Sequence, residues 1–289
     1  MSTSSRSWQI KEVAMAVSTN STRMVSIHLP FGAIRFRRRY MPLVRAGGLL
    51  LGAAVFVAAW QLVVVLGNYP SFILPSPGDV WAEVVRTVPT PAFWGHIAAT
   101  GTAVLGGLLA GTLLAVLAGY VLAKSPIINF VLSPLIVASQ AIPIVAVAPL
   151  LAIWFGYGIT PKIVTSFLIV FFPILISVAA GLRSIEPNLI DLMRSLQANR
   201  RQMFLKLEVP AALPMILSGL KVGATLSVIG AIVGEFVNSD QGLGFLIKQG
   251  NGEYNTARTF LALIALSLMA LLLYGGVALL ERKWLAWKK

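Results

Sequence analysis

Side chains that could carry covalent or metal chemistry are scarce in this sequence. There is no cysteine, and the two histidines, His28 and His96, lie far apart. A disulfide framework, a thiolate nucleophile and a clustered metal site are therefore excluded. No Gly-x-x-x-x-Gly-Lys-Ser/Thr segment occurs, so the loop that cradles the phosphates of ATP is missing. We expect no catalytic residue, no metal ion and no cofactor.

A few polar side chains stand in apolar surroundings, where such groups can mark a solute path. Ser139 and Gln140 precede Pro143 in a long apolar stretch. Proline removes a backbone donor and bends a helix, and broken helices at membrane depth can expose backbone groups to a solute. Two interpretations stay open: these side chains bind a polar solute, or they satisfy a carbonyl freed by a kink.

Lys221 and Glu235 lie towards the two ends of a later apolar stretch. The long stem of Lys221 predicts that its ammonium group reaches cytoplasmic water. An acid at a helix end is more typical of a membrane interface than of catalysis, so Glu235 is only a weak candidate for a solute path.

The composition indicates that lipid, not water, is the solvent. Hydrophobic residues make up 57% of the 289 residues and charged residues 11%, against about a quarter in soluble domains. The net charge of +13 would also suit nucleic-acid binding. However, most basic residues lie between the apolar stretches, which favours a membrane protein in contact with lipid and without a nucleic-acid partner.

Several apolar stretches are long enough to cross a bilayer, and they predict an all-α bundle of six transmembrane helices. Residues 47–285 form this predicted membrane domain, and residues 1–46 a basic, disordered cytoplasmic tail; a transit peptide is the alternative for the tail. The predicted spans are Gly47–Gly67, Ile97–Ala123, a span within Ile127–Phe155, Ile163–Leu182, Leu213–Gly234 and Thr259–Leu280.

The third apolar stretch could be one interrupted crossing or two short ones, and the basic residues decide between them. With one crossing, the basic tail, the loop 183–210 and the basic C-terminal end share one side of the membrane. Lysine and arginine accumulate on cytoplasmic loops. We therefore expect one interrupted crossing, with both termini in the cytoplasm of a cell or inner membrane.

Small residues recur at helical spacing in two of the spans. Because lipid is as apolar as leucine, close backbone approach at small residues holds membrane helices together. We expect these faces to form helix contacts, and a glycine-lined solute path is the alternative. The residues are Gly107, Gly111, Ala115 and Gly119 in the second span, and Gly219, Gly223, Ser227, Gly230 and Gly234 in the fifth.

The loop 183–210 is the longest cytoplasmic connection between spans. Glu186-Pro187 is a good helix start, because the missing donor of proline costs nothing there. Apolar residues from Leu189 to Leu196 give the helix an apolar side. Such a helix suits docking into a groove on a soluble partner, or it lies flat on lipid.

This loop resembles the signature of the permeases of binding-protein-dependent ABC transporters: Glu-Ala-Ala, three residues, Gly, nine residues, Ile-x-Leu-Pro. The spacing fits throughout, but a glutamine stands at the glycine position, so a residue with a side chain must make the turn. The matching positions are Asp191, Leu192, Met193, Gln197, Leu207, Val209 and Pro210. The residues that the resemblance implies for ATPase coupling are Asp191, Leu192, Met193, Arg194, Leu196, Gln197 and Pro210.

Three further segments are similar to the sulfonate, taurine and nitrate permease group, so that the resemblance covers about residues 47–285. They are residues 73–77 ahead of Trp81, residues 149–156, and Gly234-Glu235 with Gly242-Leu243-Gly244. The resemblance implies a cytoplasmic ABC ATPase subunit, an extracytoplasmic solute-binding protein and a second permease copy, identical or related. Residues 188–205 would sit in a groove of the ATPase and act as a lever.

Residues 192–196 and 228–235 look most like the branch that imports riboflavin or the pyrimidine precursor of thiamine. Riboflavin is the first expected solute; the pyrimidine precursor, or a sulfonate, taurine or nitrate, is the alternative. Two other classes of protein remain open, an ion-coupled secondary transporter and a non-transporting membrane scaffold.

Overall fold

The computed structural model describes residues 41–237 and 239–286, and in these ranges all regular structure is helical. The predicted tail lies outside the described residues except for its last six, which already belong to the first helix. The helices are α1 Met41–Gly67, α2 Pro77–Thr87, α3 Pro91–Lys124, α4 Pro126–Gln140, α5 Ile144–Phe155, α6 Ile159–Arg183, α7 Pro187–Ser195, α8 Arg200–Met203, α9 Val209–Val237, α10 Leu243–Gly252 and α11 Thr256–Trp284. A π-helical turn, Phe204–Glu208, joins α8 to α9.

Five helices of the described chain are long and apolar enough to cross a membrane, namely α1, α3, α6, α8 with α9, and α11. The pair α4 and α5 passes the same test together and is bent by 94°. The bend falls at Pro143, the residue that caps α5, because a proline cannot continue the hydrogen-bonding of α4. The chain therefore has the predicted all-α fold, and its third apolar stretch is bent at Pro143.

The chain divides into two compact units at Ala54 and Val55. In the first, residues 41–54 are helical. In the second, the core lies where α6 packs against both α3 and α9. The apolar residues of this core include Val170 and Ile174, which are fully buried.

Both small-residue faces contact α6. A Cβ atom added at Gly107 would lie 2.3 Å from Ser166 Oγ, and one added at Gly230 would lie 2.4 Å from Ser166 Cα. Gly111 faces Val170, while Gly219 and Gly223 face Ser177 and Ile174. At these positions a larger residue would meet the neighbouring helix, so the small faces permit the close approach of α3 and α9 to the same central helix.

The ammonium group of Lys221 has a partner within the protein. Its Nζ lies 2.5 Å from Glu281 Oε2, and both side chains are mostly buried. It also lies over the ring of Tyr274, 5.9 Å from the ring centre. Glu281 of α11 thus neutralises the charge of Lys221, and the ion pair links α9 to α11.

A second ion-pair cluster fastens α2 to the beginning of α11. Ser76 and Asp79 form a capping box that starts α2, a motif that satisfies free amides of the first turn. Arg258 of α11 donates through Nε to Glu83 at 3.1 Å and through Nη1 to Glu253 at 2.5 Å. Glu83 is buried, so this pair holds α2 against the membrane-spanning helices.

Candidate functional site

The helix α7 is the best-defined part of the loop between α6 and α9. It begins at Pro187, in the first helical position, and has no buried residue. Leu189, Leu192 and Leu196 are exposed along one side, as expected for residues three and four apart. A stripe of exposed leucines on a short helix is a surface that a partner or lipid can cover.

The polar side of α7 carries a pair of charges that contributes little to stability. Arg194 Nη1 lies 3.2 Å from Asp191 Oδ1, with both side chains about 70% exposed. Exposed pairs of this kind are worth about 0–1 kcal/mol. These charges are therefore available to interact with a partner.

Gln197 makes the turn that the glycine of the signature would make. Its φ is +52°, in the left-handed region that L-residues avoid. The amide of Ala198 donates to Met193 O at 3.0 Å, and the amide of Gln197 donates to Arg194 O at 2.9 Å. These two bonds are those of a Schellman motif, so α7 has a firm end despite the glutamine.

The return to the membrane is also well defined. Asn199 and Gln202 form a capping box that starts α8, and the π-turn follows directly, with the Val209 amide bonded to Phe204 O. Pro210 stands in the first turn of α9, half-buried. Because proline offers no amide to the preceding turn, the wider π-turn is compatible with this position. From Arg200 into α9 the chain is thus continuous helix.

Glu208, which sequence reasoning did not single out, is a buried carboxylate at this entry into α9. It forms an ion pair with Lys124 at the end of α3 and accepts a hydrogen bond from Tyr120 Oη at 3.2 Å. An acid that follows several basic residues just before a span was the available signal. The pair links the loop between α6 and α9 to the end of α3.

Arg183 forms a second link at the same end of the bundle. Its Nη2 donates to Leu122 O at 3.1 Å and to Asn129 Oδ1 at 2.6 Å. The ends of α3, α4 and α6 are therefore connected by one guanidinium group. From the sequence alone, Arg183 indicated only that its loop lies on the cytoplasmic side.

The predicted path residues Ser139 and Gln140 both bond within their own helix. Ser139 Oγ donates to Ile136 O at 2.7 Å, and Gln140 Nε2 donates to the same oxygen at 3.3 Å. Gln140 is exposed and stands at the last position of α4, before the bend. This geometry is that of a helix end whose carbonyl at Ile136 is satisfied.

Glu235 is a fully buried carboxylate near the end of α9. It is 0% exposed, accepts from Thr100 Oγ1 at 2.8 Å and accepts from the Gly244 amide at 2.7 Å. Thr100, also fully buried, accepts in turn from the Leu243 amide at 2.7 Å. The carboxylate therefore joins α3, α9 and the first turn of α10.

Two further side chains hold the segment just before α10. The Gly242 amide donates to His96 Nδ1 at 3.0 Å, and the imidazole ring of His96 stacks on Phe245. Lys162, which is 4% exposed, donates through Nζ to Gln241 O at 3.1 Å. Among the described residues no group of three His, Cys, Asp or Glu side chains could hold a metal ion.

Comparison with known proteins shows the family of the chain. Residues 107–285 match the family described as binding-protein-dependent transport system inner membrane component. The chain is 41% identical over 241 residues to the riboflavin transport system permease protein of Chloroflexus aurantiacus, covering 83% of this chain and 90% of that one. It is 32% identical over 237 residues to the formylaminopyrimidine transport permease protein of Halalkalibacterium halodurans, covering 81% and 93%.

The taurine transport system permease protein of Escherichia coli is 32% identical over 253 residues, covering 85% of this chain and 92% of that one. A solved chain of the MetNI methionine ABC transporter, in an inward-facing conformation, aligns with a TM-score of 0.58 and 20% identity over 67% of this chain and 98% of that one. This likeness concerns the fold. The chain belongs to the family of inner-membrane components of binding-protein-dependent transport systems, and it is a multi-pass membrane permease of the ABC transporter class.

Proposed function

We propose that this permease is the membrane-spanning subunit of an ATP-driven importer and that α7 is its contact with a separate cytoplasmic ATPase. The observation that carries the proposal is the exposed stripe of Leu189, Leu192 and Leu196 along a short helix that begins at Pro187 and ends in a Schellman motif. An amphipathic helix that presents its apolar side suits a groove on a partner. The exposed charges of Asp191 and Arg194 lie on the other, polar side of α7.

The chain itself has no phosphate-binding loop, so ATP would bind and be hydrolysed on the partner. Closure of two ATPase subunits would push α7, and the hydrogen-bonded turn at Gln197, followed by the continuous helix from Arg200, would carry the displacement into α9. ATP can drive such a change only by favouring one arrangement over the other. A second permease copy would complete the pathway, and an extracytoplasmic binding protein would deliver the solute.

Riboflavin is the solute that we propose first. It rests on the 41% identity to a permease named for riboflavin transport. A pyrimidine precursor of thiamine is the second candidate, supported by the formylaminopyrimidine permease at 32%. Sulfonates or taurine follow, on 32% identity to the taurine permease. In all three cases the similarity extends over four fifths of the chain, so identity alone ranks them.

Co-purification of the ATPase tests the contact. The change Leu196→Asp places a charge at the C-terminal end of the apolar stripe, and we expect it to abolish co-purification of the partner ATPase. Asn188→Asp is the matched control, because it adds the same charge to the exposed polar side of α7. If Leu196→Asp retains as much ATPase as the control, α7 is not the docking helix.

Uptake into proteoliposomes tests the energy source and the solute. The permease, the ATPase and the binding protein are reconstituted. Riboflavin, formylaminopyrimidine and taurine are then offered separately, with ATP supplied on the side of the membrane that carries α7 and the ATPase. We expect riboflavin uptake that persists when ion gradients are collapsed. Uptake that stops with the gradient and ignores ATP would indicate a secondary transporter, and uptake of another solute alone would replace riboflavin.

A further inference from the structure

The segment Gln241–Gly244, which leads into α10, is held in an unusual way. Each of its four residues offers one backbone polar group, and each group bonds to a side chain of a membrane-spanning helix. The side chains come from three helices: His96 and Thr100 from α3, Lys162 from α6, and Glu235 from α9. We call these four side chains and the four backbone groups the tether.

Because three of the four side chains of the tether are buried, breaking their hydrogen bonds would be costly. Lys162, Thr100 and Glu235 are at most 4% exposed, and a buried polar group without its partner is costly. Hydrogen bonds to charged groups are also stronger than those between neutral groups. The tether therefore favours one position of α10 relative to α3, α6 and α9.

The backbone of the segment is shaped to admit the carboxylate. Gly242 has a φ of +123°, which residues with a side chain rarely adopt. A Cβ atom at this position would lie 2.2 Å from Glu235 Oε1, and one at Gly244 would lie 2.9 Å from Glu235 Cβ. Both glycines thus allow Glu235 to enter between the turns of the chain.

The same three helices are joined at the opposite end of the bundle. There Lys124 of α3 pairs with Glu208 at the start of α9, and Arg183 of α6 bonds to the end of α3. Between the two ends the glycine faces pack α3 and α9 directly on α6. Interiors packed this closely transmit displacement rather than absorb it.

We propose that the tether makes α10 move together with α3, α6 and α9, so that displacement of α7 on one side of the membrane repositions α10 on the other. Glu235, Thr100, His96 and Lys162 are then positioning residues for transport. The inference rests on the proposed function, because it needs a motor that moves α7. It assigns α10 as the outer end of that lever.

The test compares two substitutions at Thr100 in the reconstituted transporter. Thr100→Val keeps the shape of the side chain but removes the acceptor for Leu243 and the donor to Glu235, whereas Thr100→Ser keeps the hydroxyl. A bimane label on Lys248→Cys reports the position of α10, since Lys248 is exposed and the sequence has no other thiol. The readouts are basal ATPase activity, uptake per ATP hydrolysed, and the change in bimane emission on trapping with ATP and vanadate.

We expect Thr100→Val to keep basal ATPase activity, to lower uptake per ATP by about tenfold, and to lose most of the emission change. Thr100→Ser should resemble the unsubstituted protein. His96→Phe is a milder second variant, because it keeps the aromatic ring beside Phe245 and removes only the acceptor for Gly242. It is expected to act in the same direction and tests the tether even if Thr100→Val does not assemble.

The outcomes separate the two proposals. If the labelled but otherwise unsubstituted transporter neither hydrolyses ATP nor responds to trapping, the proposed function fails, and the lever fails with it. If that transporter responds and the Thr100→Val and His96→Phe variants show the same coupling and the same emission change, ATP-driven transport stands and the tether is refuted.

Discussion

Gln197 shows how a single residue can occupy a position that favours glycine. Its left-handed backbone closes the Schellman motif at the end of α7, and the two bonds of that motif are intact. A residue with a Cβ atom in this region costs about 1–2 kcal/mol. The turn therefore persists because the bonds around it outweigh the strain.

Substitution of Gln197 should act through this strain. We expect Gln197→Gly to stabilise the loop by about 0.5–1 kcal/mol, less than the full strain because glycine also gains freedom in the unfolded chain. Gln197→Val should destabilise it, since β-branched side chains tolerate a positive φ poorly. Thermal unfolding of the detergent-solubilised protein measures both. Equal stability of the two variants would contradict a left-handed residue 197.

Glu83 lies in α2, outside the membrane-spanning helices, and its charge state should affect the stability of the protein. Burial raises the pKa of its carboxyl, but the hydrogen bonds from Arg258 and Thr87 and the positive charges of Arg258 and Arg86 outweigh burial. The pKa is therefore lowered from its ordinary value of 4.5. The folded state binds this proton less readily than the unfolded chain does, so ionised Glu83 contributes stability.

Because the pKa of Glu83 is lowered in the folded state, its contribution to stability should decrease at acidic pH. The contribution of Glu83 is fully present above the ordinary carboxyl pKa of 4.5 and is lost as the pH falls through the lowered pKa. We expect Glu83→Gln to unfold at a lower temperature than the unsubstituted protein near neutral pH. The difference should shrink as the pH is lowered from 5 to about 3. A difference that stays constant over this range would exclude an ionised Glu83.

At the scale of elements, α6 is the helix on which the bundle depends. It meets α3 through Gly107 and Gly111 and meets α9 through Gly219, Gly223 and Gly230. The sequence predicted two small-residue faces but not their partner. Both faces lie on one common neighbour, and α6 itself carries few glycines, so its own pattern gives no sign of this role.

A matched pair of alanine substitutions tests that packing. Gly230→Ala would place a Cβ atom 2.4 Å from the backbone of Ser166, whereas Gly275 has no atom within 4 Å of such a Cβ. We expect Gly230→Ala to destabilise the protein by about 1–3 kcal/mol and Gly275→Ala to leave it nearly unchanged. Thermal unfolding in one detergent compares them, and an equal effect of both would refute close packing at Gly230.

For the whole molecule, periodicity and charge predicted more than the polar side chains did. Apolar length predicted the spans, since burying a backbone in lipid requires complete helices. The roles of Glu208, Lys162 and His96 could not be read in the same way. Each bonds to a residue at least 77 positions away, and such pairs exist only once the helices have packed.

Membrane sidedness is the property of the whole molecule on which the coupling proposal depends. We expect α7 in the cytoplasm and α10 outside. Basic residues are abundant on the α7 side, whereas on the α10 side Lys162 is buried and Arg258 is paired with two acids. The excess of basic residues on the α7 side favours this orientation.

Single thiols test the orientation, because the sequence contains no cysteine. Ser195→Cys in α7 should react with an impermeant maleimide only in inside-out vesicles, and Lys248→Cys in α10 only in intact cells. Tyr157→Cys, at a position 91% exposed between α5 and α6, should react like the α10 thiol if the bent pair α4 and α5 crosses the membrane once. Labelling of Ser195→Cys from outside would rule out an ATPase contact at α7, whereas labelling of Tyr157→Cys from inside would show that the broken pair turns back without crossing.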